Sequence, residues 1–175
     1  MIVDMKDPRI VSWIKAGKVF VYPTDTVYGI GCDARNQEAV DRIRNIKGSK
    51  KPWSVIVPSK DWVKEHCKPG EELEKLPGPF TFIYSTEFNL ACNNNSNSVG
   101  VRIPKHPFSK IVELAGVPFV TTSLNKTGEE PIISLAQMPL EIYNKVDVVI
   151  DLGAIKGKPS TVIDYRQDPP KILRA

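Results

Sequence analysis

Residues 18–33 read KVFVYPTDTVYGIGCD, and the succession of residue types in this stretch decides how the chain is built. Val19, Phe20, Val21 and Tyr22 are a short β-branched and aromatic run between Gly17 and Pro23, the pattern of a buried strand too short to be a helix. Pro23 ends the strand. Thr24, Asp25 and Thr26 then put hydrogen-bonding oxygens where the backbone leaves the sheet, and Gly29 and Gly31 tolerate positive φ or close approach by a ligand. Two readings fit: a polar strand end that floors a small-ligand site, or a turn capped by Thr and Asp whose second strand returns through Val27 to Cys32.

Outward from this stretch, strands and helices interleave. Asp7 and Pro8 suit the start of a short helix with Ile10, Val11 and Ile14 on its apolar face and Gly17 at its end. Asn36 caps a second helix in which Val40, Ile43 and Ile46 share a side, Arg42, Arg44 and Lys47 turn toward water, and Gly48 is the stop. Strands follow at 53–57, 80–84, 99–103, 119–122, 146–151 and 161–164, with a last short one at Ile172 and Leu173. Helices are expected at 60–67 and 107–115, and an irregular, Pro-containing one near 135–143. The NNNSNS run at 93–98 reads as an exposed loop. This alternation predicts an α/β (α+β) fold built on a mixed sheet with helices on its faces. Three strands end in polar groups, at 24–26, at Arg102 and at 123–125; if those ends share an edge they define one groove.

Composition narrows the function. A chain of 175 residues with 41% hydrophobic and 25% charged residues predicts one globular domain spanning 1–175. No apolar run approaches the roughly 18 residues a membrane span needs, and the first ten residues lack a signal-peptide pattern, so a cytoplasmic home is expected. Cys32, Cys67 and Cys92 are odd in number and never in a CxxC pair, which argues against a disulfide framework or zinc knuckle. A net charge of +4 suits anionic ligands such as nucleotides or RNA. There is no GxxxxGK[ST], no GxGxxG and no HExxH, and His66 and His106 sit in no Ser-His or Cys-His arrangement; His66 reads as a helix-surface residue. No protein-made metal cage is indicated, although magnesium carried on a nucleotide's phosphates would leave little trace in a sequence.

Seven segments nevertheless match a known pattern in order: PTDTVYGIG at 23–31, IKG at 46–48, KPWSVIV at 51–57, LPGPFTFIY at 76–84, VGVRIP at 99–104, TTSLNKTGEEP at 121–131 and KPSTVID at 158–164. Together they resemble the YrdC-like threonylcarbamoyl-adenylate synthases, and the resemblance covers nearly the whole chain. It implies a twisted, mostly open α/β sheet with a large, concave, positively charged cavity. It also implies an enzyme that joins L-threonine, bicarbonate and ATP, with Mg2+ on the ATP, into threonylcarbamoyl-AMP and pyrophosphate. The product would pass to a separate transferase complex that makes threonylcarbamoyladenosine in tRNA.

Carried over by motif, the resemblance places Thr26, Arg102, Ser123 and Ser160 on the threonine substrate, Arg102 pairing with its carboxylate. It places Lys47, Lys51, Ser98, Asn125, Ser134 and Arg174 on the nucleotide, with Lys47 and Lys51 as the catalytic cations that offset phosphate charge. Because the nucleophile comes from the substrates, alignment and charge stabilisation are the protein's whole task. The chain departs from the family's KxR motif: Ser49 stands at the arginine position and the loop to Pro52 is about two residues short, so Lys50 or Lys51 is expected to replace the lost cation. Ile56 stands where many relatives have a histidine. A non-catalytic module binding double-stranded RNA or tRNA is the alternative reading. The hydrogenase-maturation carbamoyl transferases share the domain, but their acylphosphatase-like region and CxxC zinc motifs are missing here. Longer relatives add a C-terminal domain, so the short form is expected.

Overall fold

The computed structural model describes residues 1–125 and 128–175; Lys126 and Thr127, within the TTSLNKTGEEP segment, lie outside the described residues. In chain order the elements are β1 (Ile2–Val3), α1 (Ile10–Lys15), β2 (Phe20–Tyr22), β3 (Gly29–Gly31), α2 (Gln37–Lys47), β4 (Ser54–Ile56), α3 (Lys60–His66), β5 (Phe80–Ser85), β6 (Ser98–Arg102), α4 (Phe108–Ala115), β7 (Phe119–Ser123), α5 (Leu140–Tyr143), β8 (Val148–Ile150), β9 (Thr161–Asp164) and β10 (Lys171–Arg174). The strands form one mixed sheet in the order β1-β8-β2-β3-β7-β4-β6-β5-β9-β10. The expected α/β class with helices on the sheet's faces is what the chain adopts.

Helix ends are set by local chemistry. Asn36 Oδ1 accepts the backbone N–H of Ala39 at 3.0 Å, and Gly48 closes α2 in the left-handed region at φ 62°, where a Cβ would be strained. Ser59 caps α3 by accepting from the Trp62 amide. The first regular helical residue is Ile10, two positions later than expected, although Asp7 does cap the turn before it: its Oδ1 accepts the Arg9 amide at 2.9 Å and its carbonyl accepts the Ile10 amide at 3.2 Å.

The decisive stretch becomes an antiparallel pair in which Phe20 faces Gly31 and Tyr22 faces Gly29. The returning-strand reading of 27–32 is correct, and the glycines are explained by packing. A Cβ on Gly31 would stand 1.9 Å from the Val120 carbonyl oxygen, and one on Gly29 would stand 2.8 Å from the Tyr22 ring. The close approach they permit is that of the protein's own strand and ring.

Period-2 alternation divides the sheet into two faces. Val19, Val21, Val55, Val101 and Val120 point to one core with Val40, Ile43 and Ile46 of α2. Phe20, Tyr22, Ile56 and Phe119 point to the other, against Ile10 and Ile14 of α1 and Phe108 and Val112 of α4; Tyr22 stacks on Phe108 at 4.3 Å. That second face changes character along its strands. Ile56 sits opposite Phe119, and two residues on Ser54 sits opposite Thr121, so helix-covered apolar surface gives way to hydroxyls. The hydroxyl-bearing half is where the cavity forms.

Two local expectations are corrected. Asn93, in the run expected to be an exposed loop, is fully buried. His66 is half-buried: its ring stacks on Trp62 at 4.3 Å and meets the Phe88 ring edge-on. All three cysteines are buried free thiols.

Candidate functional site

The polar strand ends do converge. A cavity of about 200 Å3 is walled by the turn after β2 (Thr24, Thr26), β3 and the residues before it (Val27, Tyr28, Gly29), Ser54, Thr81, Arg102, the end of β7 (Thr121, Thr122, Ser123), Pro159, Ser160, Val162 and Arg174, with Pro52, Trp53 and Pro131 at its sides. Of the residues expected to hold substrate, Thr26, Arg102, Ser123, Ser160 and Arg174 are brought together here. Its volume lies below the roughly 300 Å3 at which drug-sized ligand sites begin. Its wall carries hydroxyls and two guanidinium groups and, among the described residues, no carboxylate.

The turn at 24–27 is closed by Thr24, whose Oγ1 donates to the Val27 carbonyl at 2.7 Å and accepts from the Thr26 amide at 3.1 Å. This holds Thr26 over the end of β6, where Arg102 Nη2 donates to Thr26 Oγ1 at 3.2 Å and to Asp25 Oδ1 at 3.0 Å. Arg102 Nε is buried without a hydrogen-bond partner. Desolvation lowers the Arg102 pKa from its usual value, and the Asp25 carboxylate opposes that shift. An orphaned buried donor is unfavourable by about 1–3 kcal/mol, a cost that Arg102 carries beside the cavity.

Across the cavity, Arg174 donates through Nε to the Ser160 carbonyl at 2.9 Å and through Nη2 to Ser160 Oγ at 3.1 Å, and Ser160 Oγ lies 2.8 Å from Thr81 Oγ1. Burial lowers the Arg174 pKa as well. The segment 151–160 lies against the opening. Gly157 is pressed so closely on Thr26 that a Cβ would stand 1.8 Å from its carbonyl oxygen. The Tyr28 hydroxyl pins the start of that segment, accepting from the Leu152 amide at 3.0 Å and lying 2.8 Å from the Gly153 carbonyl.

Lys47 is the main correction. Helical periodicity points it at water, yet the residue is 6% exposed. Its Nζ donates to the carbonyls of Ser123 at 2.7 Å and Asn125 at 2.8 Å, because the chain leaving β7 crosses the C-terminal end of α2. Burial brings its pKa from 10.5 down to about 8. Lys47 therefore fastens the Ser123–Asn125 corner from behind the wall. Asn125 completes that corner by accepting the Ser123 hydroxyl and donating to the Glu129 carbonyl at 2.7 Å.

Lys51, Ser98 and Ser134 are not wall residues. Lys51 is exposed one residue outside the Pro52 rim, and its amide donates to Ser49 Oγ at 3.3 Å. Ser98 begins β6 at the end remote from Arg102, and its hydroxyl lies 2.7 Å from that of Ser96. Ser134 caps the short 3-10 turn Leu135–Gln137. Thr81, Thr121 and Tyr28 line the cavity although no sequence motif singled them out for it; the available signal was Thr81 between the apolar residues of β5 and Thr121 opening the polar half of β7. No group of three or more His, Cys, Asp or Glu comes together among the described residues, and no helix there is long and apolar enough to cross a membrane.

Comparison with known proteins identifies relatives in sequence and in fold. The model of the Sua5/YciO/YrdC family, described as "Telomere recombination", matches residues 12–175. A candidate threonylcarbamoyl-AMP synthase of Methanocaldococcus jannaschii is 36% identical over 160 residues, covering 87% of this chain and 76% of that protein. Among solved structures, P. abyssi Sua5 complexed with L-threonine superposes with a TM-score of 0.86 at 28% identity, covering 99% of this chain and 56% of the other. The chain thus spans little more than half the length of that relative. E. coli YciO superposes with a TM-score of 0.80 at 27% identity, covering 99% and 92%.

Proposed function

Since the chain belongs to the Sua5/YciO/YrdC family, we propose that it is an L-threonylcarbamoyladenylate synthase acting in threonylcarbamoyladenosine modification of tRNA. The observation that carries this reading is the wall of the cavity: two guanidinium groups, hydroxyls and no carboxylate, gathered from segments far apart in the sequence. Such a wall suits a small polar anion such as an amino acid carboxylate. The threonine complex of the P. abyssi relative supports that choice of ligand.

In this reading Arg102 takes the threonine carboxylate through Nη1, while Thr26, Ser123 and Ser160 orient the amine and the side-chain hydroxyl. The amine attacks bicarbonate, a C–N bond forms and water leaves, giving a carbamate. A carbamate oxygen then attacks the α-phosphorus of ATP, and the bond to the β-phosphate oxygen breaks, releasing pyrophosphate. In this reading the cavity of about 200 Å3 holds the amino acid with the reacting phosphorus at its mouth. The rest of the nucleotide extends past the rim at Pro52, beside Lys51, with Arg174 on the phosphate side. Lys47 contributes by holding the corner that presents Ser123 and Asn125. With no acid on the wall, the residues fit a magnesium ion that arrives on the triphosphate, where it would neutralise phosphate charge.

The test is pyrophosphate release from ATP in the presence of bicarbonate. Release that requires threonine and is lost in Arg102→Gln supports the reading. Release independent of threonine, or none, overturns it.

A further inference from the structure

Asp25 lies in the same turn as Thr26 but off the cavity wall, and the turn does not need it. Thr24 alone satisfies the local amides and the Val27 carbonyl. Both Asp25 oxygens instead reach across the fold. Oδ1 accepts from Arg102 Nη2 at 3.0 Å, from a residue 77 positions away, and Oδ2 accepts from the Lys105 amide at 2.9 Å, 80 positions away. The carboxylate and the guanidinium are about equally buried, their side chains 11% and 9% exposed. We infer that Asp25 is the positioning residue of the carboxylate-binding arginine: it fixes the plane of the Arg102 guanidinium so that a substrate carboxylate meets a donor already in place. The inference rests on the functional reading above and adds a residue to it.

The physical argument has three steps. Arginine recognises carboxylates through donors fixed in one plane, so its value depends on that plane being set before the ligand arrives. Anchoring Nη2 between Asp25 and Thr26 removes rotation about the terminal bonds. It leaves Nη1 without a hydrogen bond among the described residues and, unlike the sealed Nε, not shut off from solvent, so Nη1 is the donor an incoming acceptor can reach. The second oxygen of Asp25, tied to the main chain at Lys105, holds the carboxylate still in turn. Asp25 also supplies the only opposing charge paired to Arg102 among the described residues, so Arg102 is held ionised in a place where burial opposes its charge. Asp25 acts on substrate only through Arg102, because it does not reach the wall.

The test compares two ligands by calorimetry on the unsubstituted protein, Asp25→Asn and Asp25→Glu. One ligand is L-threonine; the other is 1-aminopropan-2-ol, which keeps the amine and hydroxyl and lacks the carboxylate. The expected result is a threonine affinity about 10- to 100-fold weaker in Asp25→Asn, in the range of a lost charge-assisted contact, with the amino alcohol changed less than about twofold. Asp25→Glu keeps the charge and displaces it, so it folds where Asp25→Asn fails to, and it shows the same ligand-selective loss at smaller size. Equal weakening of both ligands means a general structural role and overturns the inference. Unchanged threonine affinity in a folded variant overturns it also, while the functional reading survives. If the unsubstituted protein does not bind threonine, both fall together.

Discussion

Replacing Lys47 with methionine separates what this residue does for the fold from what its charge costs. The folded protein holds the Lys47 pKa near 8, against 10.5 in an ordinary environment, because the ammonium is desolvated. That difference corresponds to about 3 kcal/mol of unfavourable free energy at neutral pH. Between pH 8 and 10.5 the unfolded chain keeps the Lys47 proton while the folded chain releases it. The unfolded state therefore binds more protons in that window, and stability rises with pH across it. By about pH 9.5 only about 1 kcal/mol of the penalty remains, so about 2 kcal/mol is recovered between neutrality and that pH. Methionine nearly matches lysine in length and removes the charge, but it strands the Ser123 and Asn125 carbonyls, at about 1–3 kcal/mol each. The opposing terms leave Lys47→Met within a few kcal/mol of the parent at neutral pH. Its signature lies in the pH dependence, measured by urea unfolding of both proteins at about pH 7 and about pH 9.5. The parent should gain about 2 kcal/mol more than the variant over that interval. Equal changes in the two proteins would refute a buried, charge-bearing Lys47.

Three further outcomes are expected. Gly157→Ala should lift the 151–160 segment off Thr26, since the new Cβ would stand 1.8 Å from a backbone oxygen; limited proteolysis should cleave this segment faster while the far-UV circular dichroism stays unchanged. Ser134→Ala should lower stability by about 1 kcal/mol through loss of its cap, with the KM for ATP unchanged in pyrophosphate release; a raised KM would return Ser134 to the nucleotide. Lys51→Ala should leave stability within about 0.5 kcal/mol, as expected of an exposed side chain, and should raise the KM for ATP; unchanged ATP use would remove Lys51 as the substitute for the missing KxR arginine.

What could be read in advance depended on how far apart the interacting residues are in the chain. Helix α2 was legible from Asn36 to Gly48 because its cap and its stop are local chemistry. The strand after Gly17 and its return through Ile30 were legible from β-branched content and turn residues. Strand β1 was missed: two residues carry no periodicity, and only parallel pairing with β8 makes them a strand. Lys47 was placed in water because helical spacing reports a face and says nothing of the β7 corner that crosses it. Asn93 was placed in a loop by its polarity, yet its amide finds the Phe88 carbonyl inside the fold. In the site, Thr26, Arg102, Ser123 and Ser160 could be named from motifs and Asp25 from the polar strand end, whereas the pairing of Asp25 with Arg102 and the places of Tyr28 and Thr81 arise from long-range contacts no local pattern encodes.

The central claim is that one cavity joins an amino acid, a one-carbon acid and a nucleotide. It is tested most directly by mass spectrometry of a reaction containing ATP, L-threonine and isotope-labelled bicarbonate. The account predicts an adenylate that carries both the threonine mass and the bicarbonate label and is absent with Arg102→Gln. An adenylate without the label, or unlabelled ADP as the sole nucleotide product, would contradict it.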